Sequence, residues 1–225
     1  MEERSRTAAH TIGLSDEDCS RLSALYDGRF AEHGSSVRTV GWGSESDQAM
    51  RFEVLCRGLN LAGKRILDIG CGLGDFVTWA ESRYGPDFDY VGMDLAKDLV
   101  NAADARFGGP RRHFIADTLG AEVDMGEFDV IVLSGTLTFR TTDNMATMRS
   151  LLGNAFAHCR GVLCCNFMTS YADSQLEKNF HYSPEDVFGF AKSLTQFVIL
   201  HHDYPLYEFT LQMFRQATLQ RQPKP

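Results

Sequence analysis

Residues 66–76 read ILDIGCGLGDF, and the rest of the chain is organised around this stretch. It opens with four residues of buried-strand character and continues with three alternating glycines, Gly70, Gly72 and Gly74. An apolar segment, 76–80, then begins a helix. Glycine reaches positive φ and lets a ligand approach the backbone where a Cβ would block it. The stretch therefore predicts a strand, a tight turn and a helix start, with a ligand bound at the carboxyl end of the strand.

The spacing of the glycines separates two classes of ligand. A dinucleotide fingerprint is G-x-G-x-x-G, whereas this turn is G-x-G-x-G, and Asp75 takes the place of the third dinucleotide glycine. Asp68 precedes the first glycine, where a carboxylate would oppose a pyrophosphate but suits an ammonium or a sulfonium. The stretch resembles the first motif of class I S-adenosylmethionine (SAM) dependent methyltransferases, (D/E)-x-G-x-G-x-G. An ordinary strand-to-helix turn is the alternative, because one glycine-rich match is weak evidence.

Composition and net charge narrow the classes of partner and the cellular location that we expect for this protein. The 225 residues are 44% hydrophobic and 23% charged, as expected of one globular domain. With 22 basic and 30 acidic residues the net charge is −8, which disfavours nucleic acid and anionic membranes as partners. We find neither the apolar core of a signal peptide nor the roughly 20 apolar residues of a membrane helix. The six cysteines lack zinc-ligand spacing. We therefore expect a cytoplasmic protein without a metal site.

Strands and helices alternate regularly from residue 63 onward. The predicted strands are 65–69, 89–94, 112–116, 127–135, 162–168, 195–202 and 206–215. The predicted helices between them are 74–84, 96–106, 143–159 and 184–193. Apolar strands in repeated strand–helix units predict a parallel sheet covered on both faces. We expect an α/β, Rossmann-like fold with a mostly parallel seven-stranded sheet and a terminal antiparallel strand, which is the arrangement that the resemblance implies.

The N-terminal part of the chain is predicted to be helical. Ser15 is followed by an acid three residues later, which predicts the start of a helix over Asp16–His33, and Ser44 with Asp47 predicts a second start. We expect residues 1–62 to form a helical cap packed beside a SAM-binding unit at 63–225, within one structural domain.

Two further acids end predicted strands. Asp94 ends the second strand, and an acid about 20 residues after the first glycine can accept both ribose hydroxyls of an adenosine. Asp117 ends the third strand, where the resemblance implies an acceptor for the adenine amino group. For each acid the alternative is a helix-capping or loop residue. Their neighbours Leu95 and Thr118 are expected to contact the cofactor as well.

Three more residues are candidate SAM contacts. Ser134 begins the loop 134–139 after the fourth strand, which could hold the methionine end of SAM. Tyr26 lies near the end of a helix that covers the SAM site in many small-molecule methyltransferases. Arg51 could pair with the SAM carboxylate, since a guanidinium matches a carboxylate bidentately. Core packing for Tyr26 and a solvated helix position for Arg51 are the alternatives.

The sequence does not name an acceptor. Loop 134–139 lacks both the Asn/Asp-Pro-Pro-aromatic motif of DNA adenine methyltransferases and the Pro-Cys pair of cytosine-C5 enzymes. Candidate pocket-lining or catalytic residues are Tyr171, Tyr182 and His202, because they flank the late loops where substrate usually enters. A structural role is the alternative for each of them.

The functional prediction follows from these residues and from the resemblance. We expect a SAM-dependent methyltransferase that acts on a small molecule by in-line transfer, in specialised metabolism. A homodimer is one assembly that it could form, and the sequence does not indicate the oligomeric state. One alternative is an enzyme of the same fold that cyclises SAM and releases methylthioadenosine. A second is a non-catalytic SAM-binding protein.

Overall fold

The computed structural model describes residues 14–41, 43–117 and 126–219. The helices in these ranges are α1 (Asp16–His33), α2 (Glu45–Leu55), α3 (Asp75–Tyr84), α4 (Lys97–Phe107), α5 (Asn144–Ala157) and α6 (Pro184–Leu194). The strands are β1 (Arg65–Ile69), β2 (Asp89–Asp94), β3 (Arg112–Ala116), β4 (Phe128–Leu133), β5 (Cys159–Met168), β6 (Phe197–His201) and β7 (Glu208–Phe214). The described helices do not include one with the length and apolar character needed to cross a bilayer.

One sheet of seven strands forms the centre of the molecule, in the order β3-β2-β1-β4-β5-β7-β6. Strands β1 to β5 are mutually parallel, and β7 is antiparallel to both of its neighbours, β5 and β6. The predicted mostly parallel sheet with an antiparallel strand near its end is therefore confirmed. The chain leaves β1 toward β2 on one side and returns to β4 on the other, so the strand order reverses between β1 and β4. Ligands of open α/β sheets bind in the crevice at such a reversal.

Apolar strands place a core on each face of the sheet. Leu67 and Ile131 lie opposite each other in the β1–β4 register and belong to the core cluster that also includes residues of α5 and α6. Ile66 and Val130 face the other way, toward Phe52 of α2 and the aromatic residues of α3. Because both faces are covered, the central strands are apolar at almost every position, as in parallel sheets generally.

The glycine turn fits its surroundings only without side chains. Gly70, Gly72 and Gly74 have φ values of 78°, 53° and 74°. A Cβ on Gly70 would lie 2.6 Å from Thr136 Oγ1. The amides of Gly70 and Cys71 both donate to the Met93 carbonyl, at 2.7 and 3.0 Å, and so tie the turn to the end of β2. The turn is thereby held against two strand ends at once.

The junction between α5 and β5 differs from its prediction. The predicted helix continued to residue 159 and stopped before Gly161, but α5 ends at Ala157 and β5 begins at Cys159. Gly161 lies inside the strand, where a Cβ would come within 2.2 Å of the Asp129 carbonyl oxygen. This glycine therefore serves the close approach of β4 to β5 and does not end a helix.

Helix α1 is attached to the loop after β4 by a buried carboxylate. Asp18 accepts hydrogen bonds from the Thr142 amide and from Arg21 Nη2, each at 2.9 Å, and from Ser15 Oγ. Burial alone would raise the pKa of Asp18, but these donors outweigh it and hold the pKa well below its usual range. Arg21 also donates to the Arg140 carbonyl at 2.6 Å. The predicted division of the chain at residues 62 and 63 stays a prediction.

Replacing Asp18 by Ala should lower the free energy of unfolding by about 2 kcal/mol at pH 7, since hydrogen bonds to a charged group contribute roughly 1.5–3 kcal/mol. A depressed carboxyl pKa stabilises the folded state above the ordinary pKa of 3.8, and that contribution is lost as the pH falls toward the folded value. The gap between wild type and variant, measured by urea denaturation, should therefore shrink below about pH 4. Asp16→Ala on the exposed side of the same turn is the control. Equal losses for both variants would contradict this role of Asp18.

Candidate active site

A crevice of about 1250 Å³, including its open mouth, lies at the carboxyl ends of β1, β2 and β4. The glycine turn forms its floor, the loop after β4 forms one wall, and α1 with residue Val40 covers it. Val40 touches the turn directly, since a Cβ on Gly72 would lie 2.7 Å from its side chain.

Asp94 is fixed at the end of β2 by backbone donors. Its Oδ2 accepts from the Gly72 amide and its Oδ1 from the Ala96 amide, both at 2.9 Å. Burial raises the pKa of Asp94, and these amides partly offset the rise. Each carboxylate oxygen can accept more than one hydrogen bond. Asp94 can therefore orient the glycine turn and the start of α4 and still accept from a ligand.

Asp68 is the most deeply buried acid of the crevice, with 3% of its surface exposed. The Tyr90 hydroxyl donates to its Oδ2 at 2.7 Å. Burial raises the pKa of Asp68 to about 7, and the neighbouring charges of Asp94 and Asp75 raise it further, while the Tyr90 hydrogen bond lowers it. A carboxylate in this state gains stability from any cation placed beside it.

The charged side chains among the described lining residues are all acidic. They are Asp68, Asp75, Asp94 and Asp117. Asp75 is itself partly neutralised, because Arg106 Nη1 lies 3.3 Å from one of its oxygens and Gln48 Nε2 donates to the other at 3.2 Å. The crevice thus favours a ligand with positive charge and hydroxyl or amino donors.

An aromatic pair stands at the α1 side of the crevice. Tyr26 and Phe139 line it and meet edge to face, with ring centroids 5.9 Å apart. The guanidinium of Arg29 lies 5.6 Å from the Tyr26 ring and 5.4 Å from the Phe139 ring. Its Nη1 is buried and has no hydrogen-bond partner among the described residues. Arg29 is not itself a lining residue, and a Cβ on Gly41 would lie 2.8 Å from this nitrogen.

Most of the residues predicted from sequence to contact the cofactor lie together in this lining. They are Tyr26, Asp68, Gly70, Gly72, Asp94, Leu95, Asp117 and Ser134. Gly74 is not among the lining residues; it caps α3, and a Cβ there would lie 3.0 Å from the Phe107 ring. The predicted contact Thr118 lies outside the described residues.

Arg51 has a different place from the one predicted. It is only 9% exposed and does not line the crevice. Its Nε and Nη2 bind the buried carboxylate of Glu208 at 2.8 and 2.7 Å. The face of α2 that carries Arg51 packs against the sheet near β7, and two charges buried there pair with each other. Arg51 is therefore not available to a ligand in the crevice, and Arg29 is the next candidate cation near it.

The three candidate catalytic residues do not line the crevice either. Tyr171 is 64% exposed and bonds Glu185 at the surface. Tyr182 is 1% exposed and packs between aromatic rings of the core. The His202 ring lies between Tyr171 and Phe209, about 6 Å from each. The loop between β5 and α6 does pack against the crevice wall, since the Phe180 amide donates to the Thr138 carbonyl, but these three side chains do not point into the crevice.

Sequence reasoning passed over Arg29 and Phe139. Arg29 stands three residues after Tyr26 on one helix, a spacing that brings two side chains to the same face. That signal was present in the sequence. Phe139 falls in the loop already chosen as a crevice wall, but no residue pattern indicated which of its side chains would turn inward.

One family model matches part of the chain. Residues 66–160 match the family model of a methyltransferase domain. The matched segment is less than half of the 225 residues and runs from β1 to the start of β5. The glycine floor leaves no room for side chains, and the buried acids suit a cationic ligand. A search of curated proteins finds no match to this sequence.

Several solved structures share the fold of this chain. A magnesium protoporphyrin IX methyltransferase from Synechocystis with bound SAM has a TM-score of 0.63 at 14% identity, over 90% of this chain and 99% of that one. The N-methyltransferase NodS from Bradyrhizobium japonicum with bound S-adenosylhomocysteine (SAH) has a TM-score of 0.63 at 16% identity, over 85% and 97%. The pyocyanin biosynthetic protein PhzM has a TM-score of 0.61 at 15% identity, over 85% and 62%. At these identities the likeness is one of fold.

Replacing Asp68 by Asn should remove a pH dependence from the stability of the ligand-free protein. A folded pKa of about 7 exceeds the ordinary 3.8, so the folded state holds the proton more tightly and its stability falls as the pH rises between these values. The slope for one proton is at most about 1.4 kcal/mol per pH unit. Urea denaturation from pH 4 to 8 should show wild type losing stability relative to Asp68→Asn. Parallel curves for the two proteins would contradict the raised pKa.

Proposed function

We propose that this methyltransferase transfers the methyl group of SAM to a small molecule by in-line displacement, in specialised metabolism. The observation that carries the proposal is the convergence of the glycine turn and three strand-end acids, Asp68, Asp94 and Asp117, on one crevice. Each acid suits a different part of SAM. The ammonium and sulfonium belong near Asp68, the ribose hydroxyls at Asp94, and the adenine amino group at Asp117.

The reaction needs little from the protein beyond position. SAM supplies a methyl group on a positive sulfur; the acceptor lone pair forms the new bond to carbon while the C–S bond breaks and its electrons remain on sulfur, giving SAH. The chain holds the donor rigidly through the turn and Asp94, and α1 with Val40 excludes water from above. Holding the reactants in line can contribute on the order of 7–11 kcal/mol.

The shape of the crevice supports a small acceptor. Beside Ser134 and Thr136 it continues along apolar side chains, namely Leu22, Leu137, Phe139 and Leu151. A covered, mostly apolar cavity suits a small organic molecule better than a polymer. The names of structural neighbours point the same way, with a magnesium protoporphyrin IX methyltransferase and a pyocyanin biosynthetic protein among them. No basic side chain stands among the described lining residues, so we infer that the acceptor is nucleophilic without deprotonation by one.

Product analysis tests this proposal directly. The purified chain is incubated with SAM, with and without a panel of small phenols, carboxylic acids and amines, and the products are identified by mass spectrometry. Acceptor-dependent SAH with a methylated product supports transfer. Methylthioadenosine from SAM alone would instead support cyclisation, and binding of SAM without turnover over the whole panel would favour a SAM-binding protein.

Asp94→Asn provides the matched variant for that assay. The change keeps the shape but weakens hydrogen bonds to a charged acceptor, each contributing roughly 1.5–3 kcal/mol. SAM affinity by calorimetry should fall about 10- to 100-fold, with turnover at subsaturating SAM falling in parallel. Asp98→Asn, in the first turn of α4, is the control. Unchanged SAM affinity for Asp94→Asn would remove the ribose assignment.

Arg29 takes over the role first given to Arg51, as partner of the SAM carboxylate. Its guanidinium is held by two rings that line the crevice, and its buried Nη1 lacks a partner among the described residues. The carboxylate of the methionyl group would accept a hydrogen bond from Nη1 as one of the two parallel hydrogen bonds of a bidentate Arg–carboxylate pair.

Arg29→Gln should therefore weaken SAH about 10-fold and leave methylthioadenosine, which has no carboxylate, unaffected. Calorimetry with both ligands gives the ratio of the two dissociation constants, which cancels any general loosening of α1. Arg83→Gln on the exposed face of α3 is the control. Equal weakening of both ligands would show that Arg29 acts only through packing.

A further inference from the structure

A chain of buried polar groups runs from α2 through the sheet to the crevice. Arg51 binds the Glu208 carboxylate, Asn166 Nδ2 donates to Glu208 Oε2 at 2.6 Å, and Asn166 Oδ1 accepts from the Gly135 amide at 2.7 Å. The three side chains are between 2% and 9% exposed. We call Arg51, Glu208 and Asn166 the buried relay.

The strand register brings the relay together. Met168 of β5 pairs with Glu208 of β7, and Asn166 pairs with Thr210. Asn166 and Glu208 are therefore diagonal neighbours on one face of an antiparallel pair, close enough for their side chains to meet. Because β7 runs against β5, the beginning of β7 lies at the carboxyl end of β5, beside the crevice.

The charge of Glu208 determines which way the Asn166 amide points. An ionised carboxylate only accepts hydrogen bonds, and Glu208 forms an ion pair with Arg51. Asn166 must then turn its NH₂ toward Glu208, which leaves its carbonyl oxygen facing the Gly135 amide. The Arg51–Glu208 ion pair near β7 thus determines that Asn166 accepts the hydrogen bond from the Gly135 amide at the crevice wall.

Gly135 is the middle of a turn that touches the donor side of the crevice. The turn Ser134–Thr136 lines the crevice, and Gly135 has φ of 73°. Thr136 Oγ1 donates to the Ile69 carbonyl at 2.6 Å, directly before the glycine floor. Ser134 Oγ is buried and without a partner among the described residues. The turn is held at one end by the relay and at the other by the glycine floor.

We propose that Arg51, Glu208 and Asn166 are positioning residues of the methyltransferase: they fix the Ser134–Thr136 turn against the glycine floor so that it meets the methionyl end of the donor. This inference rests on the proposed function. Stability alone does not explain the relay, since buried ion pairs contribute little net stability against apolar residues of similar volume. The hydrogen bonds of the relay also reach the Gly135 amide at the crevice wall. An ion pair with a purely structural role would not need to extend to that amide.

Amide and acid exchanges at two positions test the relay. In Glu208→Gln, the amide oxygen goes to Arg51 and its NH₂ faces Asn166, which then flips and presents NH₂ to the Gly135 amide. SAH affinity should fall at least 10-fold. Adding Asn166→Asp restores an acceptor for both donors and keeps the net charge, so the double variant should recover to about threefold of wild type. Only Glu208→Gln and the double variant are compared, so Asn166→Asp alone does not have to fold.

A second variant and a control separate position from folding. Asn166→Ala removes the acceptor of the Gly135 amide but keeps the Arg51–Glu208 pair, and should also weaken SAH about 10-fold. Gln212→Leu is the control, because Gln212 Nε2 joins β7 to α2 through the Leu55 and Arg57 carbonyls without reaching the crevice. It should lower the melting temperature and leave SAH affinity unchanged.

The measurements are SAH calorimetry and thermal unfolding on every variant. Weaker SAH binding by Glu208→Gln and Asn166→Ala, with rescue in the double variant, supports the relay. Folded variants that bind SAH like wild type, or a double variant no better than Glu208→Gln, would overturn it while leaving the proposed function standing. Failure of wild type itself to bind SAH would overturn both.

Discussion

The site depends on a backbone that has no room for side chains. Between β1 and α3 the chain passes through positive φ at three alternating glycines, and the Met93 carbonyl holds two amides of that turn. A Cβ at Gly70 or Gly72 would meet Thr136 or Val40 at under 3 Å. The same tightness brings three elements within reach of one ligand: the end of β2, the loop after β4 and the cover from α1. Removing the turn would separate all of them.

The charges of the crevice give this geometry its preference for a methyl donor that carries a positive charge. Four acids line the crevice, and burial with mutual repulsion raises the pKa of Asp68 to about 7. Ionised acids in such a site are costly while the crevice is empty, and a cation bound beside them stabilises them. Arg29 adds a positive charge beside the aromatic pair on the α1 side. A zwitterionic amino acid end carried by a sulfonium matches both signs, which a pyrophosphate would not.

The relay shows how distant strands contribute to the same site. Glu208 belongs to the antiparallel strand β7, far from the glycine turn in sequence, yet two hydrogen bonds join it to the crevice wall. Asp18 does the same for the cover by binding Thr142. Both are buried carboxylates with satisfied oxygens, so each specifies a contact between elements that apolar packing alone would leave adjustable.

The sequence by itself determined the order of strands and helices, the glycine turn and the acids at strand ends. These are local signals: an apolar run followed by glycines or by Asp94 places a residue at the end of its own strand, and parallel strands carry such ends to one edge. Tertiary structure alone decided the partners of Arg51, Tyr182 and His202. Arg51 turns away from the crevice because it pairs with Glu208, 157 residues later in the chain. Tyr182 and His202 pack instead against rings of nearby strands, Phe167 and Phe209. The register of β5 with β7 sets that packing, and no local pattern in the chain encodes it.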